Sequence, residues 1–324
     1  GEAADNISAC LRPKHQDTDV QPTYDQTDPT SPAGSIPHWI DPVREADLVA
    51  RRRTVHRTPE TGWAEFIATA RAAEFFTSLG FKVMVGREFI DPIYVRGRSD
   101  TEVSESERLA KAAGVSPVLL QRMGGLTGLC ATFDTGRPGK TLAFRVELDA
   151  LKMDEPADPD HIPYKEGFAS ERPGLMHACG HDGHQAVAFE LGRFIVANRD
   201  RLTGRIRFIF QPGEEGSRGA YPIVQSGLLD DVDTLLCAHI ATDLQAGTVV
   251  AAPEKFLCTT KIDLHFEGVQ AHAGMQPQLG RNALLAAADA ALILMALPRH
   301  SDGMTRVNVG TLHAGEGRNV IAAH

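Results

Sequence analysis

Three short apolar runs, TLAFRVEL (141–148), RIRFIF (205–210) and DTLLCAH (233–239), limit the possible folds most sharply. Each is too short for an independent helix, is rich in aliphatic and aromatic residues, and ends in polar or turn residues, as strands do. Between the first two lies HQAVAFELGRFIVANR (184–199), which sets Val187, Leu191, Phe194 and Ile195 on one helical face. Strands that alternate with helices predict an α/β domain with a central sheet flanked by helices.

The flanking sequence extends this pattern. VREADLVARRRTVHR is predicted as a helix that breaks at Thr58-Pro59, and WAEFIATARAAEFFTSLG as a second helix closed by Gly80. FKVMV follows as a strand, and the polar stretch 95–125 holds a short helix, ESERLAKAAG. LTGLCATF (126–133) and TLAFRVEL flank the turn DTGRPGK and read as a β-hairpin, so the expected sheet is mixed. AYPIVQSGLL reads as a short helix ending near Gly227.

A different rhythm begins near residue 255. TTKIDLHFEG (259–268) alternates like a strand, RNALLAAADAALILMAL (281–297) is a long helix stopped by Pro298, TRVNVGTLHAG (305–315) is again strand-like, and NVIAAH opens one more. This is the pattern of a small α+β domain. The expected organisation is a polar, aperiodic leader over 1–36, a larger α/β domain over 37–254 and part of a second domain over 255–324.

The ends of the strand-like runs carry the chemistry. FRVELDAL finishes with Glu147 and Asp149, IRFIFQPGEEG with Glu214 and Glu215, and TLLCAHI with His239. MHACGHDGHQAV (176–187) places His177, Cys179, His181, Asp182 and His184 just ahead of a helix. In open α/β sheets ligands bind at the carboxyl ends of strands, so these clusters are expected to converge. Thiolate, imidazole and carboxylate are the usual ligands of zinc-like ions. Adjacent Glu214 and Glu215 point apart, so one can bind metal while the other acts as a base. Two other readings stay open: Cys179 as a nucleophile paired with His181 or His184, and a chance grouping of buried residues.

Composition narrows the partners. A net charge of −9 argues against nucleic acid and membrane surfaces. The five cysteines, Cys10, Cys130, Cys179, Cys237 and Cys258, are scattered and unpaired in sequence, a reduced, cytoplasmic pattern. No apolar run is long enough to span a membrane and no signal-peptide pattern opens the chain.

Taken together, MHACGHDGHQAV, QPGEEGSRGA, FRVELDAL and VQAHAGMQP resemble the dinuclear metallopeptidase superfamily of aminoacylases and carboxypeptidase G, in its amidohydrolase branch. HRTPETGWAEF and VNVGTLHAGEGRNVI extend the resemblance from about residue 37 to the end. It implies two divalent metal ions, Mn2+ or Zn2+, with Cys179 bridging them and His181, Glu215 and His239 as further ligands. Glu214 would be the general base and Asp149 a support for the metals, while the role of Glu147 stays open. In such enzymes a small lid domain interrupts the catalytic domain and makes the dimer contact, either with itself or with a related subunit. Residues from about 255 match that lid. His272 would stabilise the oxyanion in a neighbouring subunit's site, and Asn319 with Arg318 would contact the substrate carboxylate.

The implied reaction is hydrolysis of the amide of an N-acyl amino acid. p-Aminobenzoyl-glutamate is the first substrate expected, with indoleacetyl-amino acids and hippurate as alternatives. The sequence stops at AAH324, inside the lid pattern, and so holds four of the five ligands the resemblance implies. A truncated, incomplete or non-catalytic chain is therefore a second expectation.

Overall fold

The computed structural model describes residues 42–242, 244, 245, 247–250 and 259–324; the leader expected over 1–36 lies outside the described residues. The chain divides into two compact units, Gly1–Thr248 and Val249–His324.

The first unit opens with α1 (Pro42–His56) and α2 (Phe66–Ser78), followed by β1 (Lys82–Val85), α3 (Asp100–Ala112) and α4 (Pro117–Met123). Then come β2 (Leu129–Asp134), β3 (Thr141–Glu147), the single turn α5 (Ile162–Lys165), α6 (His181–Ala197), β4 (Arg205–Gln211), α7 (Ala220–Gln225) and β5 (Thr234–Cys237). The five strands form one sheet in the order β1-β2-β4-β3-β5. β1, β2 and β4 pair antiparallel, whereas β4, β3 and β5 run parallel. The sheet is mixed and flanked by helices, as expected, but its antiparallel part comes from the β1–β2 and β2–β4 pairs.

The hairpin expectation is corrected. β2 and β3 are not neighbours, because β4 is inserted between them, pairing Phe210 with Leu129 on one side and with Val146 on the other. The DTGRPGK segment crosses the start of β4 instead of folding back, and its Arg137 and Lys140 carbonyls accept the N–H groups of Gly204 and Arg205. β4 is buried along nearly its whole length, as a strand covered on both faces is, and it takes the centre of the sheet.

β4 shows how the core is divided. Phe208 and Phe210 point to one face, where they meet Phe76 at ring-centroid distances of 4.9 and 5.3 Å. Phe66, Phe81, Val146, Leu148 and Phe189 complete that cluster. Ile209, between them, faces the opposite side with Trp63, Ile90, Leu126 and Ile223. This is the period-two alternation of a strand buried on both faces.

α2 begins at Phe66 rather than at Trp63, where the sequence pattern starts. Trp63 adopts a positive φ of 71° in a turn, and the Glu60 carboxylate accepts the N–H groups of Ile67 and Ala68. A carboxylate there caps orphan donors and favours the helix dipole. The stretch 95–125 contains two helices, α3 and α4, rather than one. α3 is capped by Ser99, whose side chain accepts the Glu102 N–H.

The second unit holds β6 (Ala271–His272), α8 (Ala283–Met295) and β7 (Val320–Ile321), with β6 and β7 antiparallel. The strands expected at 259–268 and 305–315 are not formed. A strand requires a hydrogen-bonded neighbour, and neither segment pairs in a ladder among the described residues; Ile262 is 73% exposed. α8 stops after Met295, short of Pro298. Among the described residues, no helix is long and apolar enough to cross a membrane.

Candidate metal centre

The parallel strands β4, β3 and β5 deliver their carboxyl ends to one edge, and the polar clusters meet there. Three overlapping groups bring ligand atoms within 4.8 Å of one another: Cys179, His181 and His239; His181, Glu214 and Glu215; and Glu147, His181 and His184. His181 belongs to all three.

His181 is the first residue of α6, and Gly180 turns the chain into the helix with a φ of 88°. That left-handed geometry suits glycine. The His181 side chain is fully buried. Its Nδ1 donates to the Asp149 backbone carbonyl at 2.7 Å, and because a carbonyl can only accept, this nitrogen carries the proton. Nε2 is the nitrogen left to face the site; it lies 3.7 Å from Glu214 Oε2 and has no hydrogen-bond partner.

The QPGEEG turn after β4 is fastened from below. Asp149 Oδ2 accepts the Glu215 N–H at 2.8 Å, and Glu65 Oε1 accepts the Gly213 N–H at 2.7 Å. Arg218 Nε donates to the Glu215 carbonyl at 3.0 Å. Gly219 closes the turn so tightly that an added Cβ would lie 1.6 Å from the Pro212 carbonyl oxygen. Glu215 Oε1 and Asp149 Oδ1 are left buried without hydrogen-bond partners.

After β5, His239 donates from Nδ1 to the Ile240 carbonyl at 2.7 Å and sets Nε2 3.4 Å from Cys179 Sγ. His184 is already engaged at both nitrogens: Nδ1 donates to Glu147 Oε2 at 2.7 Å, and Nε2 accepts the Ile240 N–H at 2.9 Å. Glu147 also receives Arg145 Nη1 at 2.6 Å. Glu147 and His184 therefore form a brace that steadies the His239 loop.

The electrostatics call for a cation. Burial pushes the Cys179 thiol up to about 12, with Glu215, Glu214 and Glu147 adding to the effect. Burial also raises Glu214 above the usual carboxylate range, against the pull of His181 and Arg145. For His181, burial lowers the pKa, but hydrogen bonds and charge from Asp149 and charge from Glu147 outweigh it and raise it to about 9. A divalent cation would reverse each tendency: it deprotonates a coordinating thiol, displaces the imidazole proton and neutralises the carboxylates. The orphaned Nε2 of His181 and Oε1 of Glu215 fit that occupant. A thiol crowded by carboxylates suits a cysteine nucleophile poorly.

The structure thus brings Cys179, His181, Glu214, Glu215 and His239 together, with Asp149 beneath them. His272, Asn319 and Arg318 belong to the second unit. There His272 pairs with Val320, the Asn319 carbonyl accepts the Ala273 N–H, and His272 Nδ1 accepts the N–H groups of Gly274 and Met275. Sequence reading missed Glu65, Arg145 and Arg218. Arg145 had one visible mark, a charge inside an otherwise apolar strand run.

Fold and site lead to a family. The chain belongs to the peptidase family M20/M25/M40, whose model matches residues 143–311. It is 49% identical over 275 residues to a p-aminobenzoyl-glutamate hydrolase subunit homolog of Haemophilus influenzae, covering 85% of this chain and 65% of that protein. It is 48% identical over 277 residues to indole-3-acetyl-aspartic acid hydrolase of Enterobacter agglomerans, covering 85% of this chain and 64% of that protein. The crystal structure of aminobenzoyl-glutamate utilization protein from Klebsiella pneumoniae superposes with a TM-score of 0.71 at 40% identity, over 86% of this chain and 64% of that one. The chain therefore spans just under two thirds of these relatives, 65% and 64% of the two curated proteins.

Proposed function

We propose that this chain carries the metal-binding and proton-transfer groups of an amidohydrolase that cleaves N-acyl amino acids. The observation that supports it most is the convergence of Cys179, His181, His239, Glu214 and Glu215 around the unpartnered Nε2 of His181. Cys179, His181, Glu215 and His239 would hold two divalent ions, Mn2+ or Zn2+. When bound, such ions polarise an amide carbonyl and lower the pKa of water.

The chain's own residues supply the proton transfers. Glu214 takes a proton from the attacking water as its oxygen bonds to the amide carbon. When the C–N bond breaks, Glu214 returns that proton to the departing amine. Asp149 holds both the His181 ring and the Glu215 backbone in place. His272, with Nδ1 occupied as an acceptor, offers a proton on Nε2 to the oxyanion of a neighbouring subunit's site. Asn319 and Arg318 contact the substrate carboxylate. In this reading residues 37–254 form the catalytic domain, and 255–324 belong to a lid that makes a homodimer or pairs with a related subunit.

p-Aminobenzoyl-glutamate is the first substrate to test. The names of the two curated relatives share one chemistry, an aromatic acyl group in amide linkage to an acidic amino acid, so indole-3-acetyl-aspartate is the second. The test is Glu214→Gln: kcat falls by about 10²–10⁴-fold with metal content unchanged. Retained turnover in that variant removes Glu214 from the role.

A further inference from the structure

Behind the candidate metal centre lies a cluster that the proposed chemistry does not use. His56, at the end of α1, is only 2% exposed. Its Nδ1 meets Asp182 Oδ2 at 2.9 Å and its Nε2 meets Glu155 Oε1 at 2.9 Å. Both carboxylates are nearly closed to solvent, Asp182 at 0% and Glu155 at 4%. Two ionised carboxylates can only accept, so the ring between them carries protons on both nitrogens. Phe168 packs edge-on against the ring at 5.5 Å, and His161 Nε2 closes on Glu155 Oε1 at 2.7 Å. Arg52 Nε donates to the same Asp182 oxygen at 3.0 Å.

Asp182 follows His181 directly, in the first turn of α6. Three segments far apart in sequence are joined through one imidazolium: α1, the 150–176 loop and the turn that presents Cys179 and His181. Losing a group that orients a metal ligand from behind typically costs about 10–100-fold in metal affinity. Charge-assisted hydrogen bonds in a buried setting are the strong ones.

We propose that His56 is a positioning residue for the candidate metal centre, its Nδ1 holding Asp182 and, through it, the Cys179-Gly180-His181 turn. This inference rests on the metal reading of that turn. It assigns a role to a histidine that touches neither a ligand side chain nor substrate.

The two ring nitrogens can be tested separately. In His56→Asn the amide nitrogen stands roughly where Nδ1 was and can still donate to Asp182; in His56→Gln it stands near Nε2 and can reach only Glu155. The chelated full chain and both variants are titrated with cobalt(II), reading the thiolate-to-cobalt charge-transfer band and equilibrium dialysis, with unfolding midpoints recorded in parallel. His56→Gln is expected to weaken cobalt binding by at least about tenfold, and His56→Asn to stay near wild type. A loss shared by both variants, or binding unchanged in both, or the reverse order, overturns the proposal. A wild-type chain that shows no cobalt-thiolate band defeats the metal reading itself, and the inference falls with it.

Discussion

The backbone carbonyl of Asp149 accepts a hydrogen bond from Nδ1 of His181 at 2.7 Å, and that single contact decides which nitrogen of the histidine faces the site. The Asp149 carboxylate holds the Glu215 N–H at the same time. One residue thus aims two candidate ligands, one opening a helix and the other following a strand.

Asp149→Asn should preserve the carbonyl contact and an acceptor for Glu215, while removing a negative charge beside His181. Metal affinity is expected to fall by about tenfold, with the unfolding midpoint of the metal-free chain little changed. Competition against a chelating dye measures the first, and a thermal melt the second.

Chelation separates the metal reading from a thiol reading of Cys179. On the metal reading, removing metal abolishes turnover and added Mn2+ or Zn2+ restores it. A cysteine nucleophile would survive chelation and be lost to alkylation of Cys179 instead.

The His56–Asp182 pair gives a defined pH window. Burial opposes the charge on His56, but Asp182 and Glu155 outweigh it and raise the pKa above 6.5. Burial likewise opposes the charge on Asp182, but the His56 hydrogen bond and the charges of His177, Arg52 and His56 depress it to about 2. A raised histidine stabilises fully below its unfolded value and loses that stabilisation as pH rises through the folded value. A depressed carboxylate contributes above its unfolded value of 3.8 and loses that as pH falls through about 2. The pair therefore contributes most between pH 3.8 and 6.5. Denaturant titrations of wild type and His56→Gln should differ most in that window, and the gap should narrow toward alkaline pH.

Gly219→Ala would set a methyl group against the Pro212 carbonyl at 1.6 Å, so the turn must open. The expected cost is about 1–3 kcal/mol, together with loss of metal binding, since Glu214 and Glu215 ride on that turn. Chemical denaturation and metal analysis of the same sample check both.

Phe76→Ala tests the core apart from the site. Phe76 is fully buried and meets the rings of Phe81, Phe208 and Phe210. Truncation should cost about 3–5 kcal/mol, with the metal affinity of the folded fraction retained.

What was legible in the sequence follows a physical division. The runs that became β3, β4 and β5 could be read because apolar composition and length are local properties. Their order could not, because pairing is decided between distant segments, and DTGRPGK reads as a hairpin turn until RIRFIF is known to lie between its flanks. Glu214, Glu215 and His239 were visible because chemistry-bearing residues stand where strands end, and Cys179 and His181 because they crowd the loop that opens a helix. The bracing behind them was not: Glu65 reaches Gly213 across 148 positions and His184 reaches Glu147 across 37. In the second unit, alternation at 259–268 and 305–315 marks a preference for strand, but a ladder requires a partner.

The crowding of the carboxylates of Glu147, Asp149, Glu214 and Glu215 at one sheet edge also bears on how the chain behaves without a cation. Like charges held together by the fold are locally frustrated, and the fold tolerates them at the expense of the nearest weak segment. That segment is the 213–218 turn, short, partly exposed and fastened by a few hydrogen bonds. Hydrogen exchange there should quicken in the stripped protein and slow when metal returns, so that cofactor loading doubles as a clasp on the scaffold.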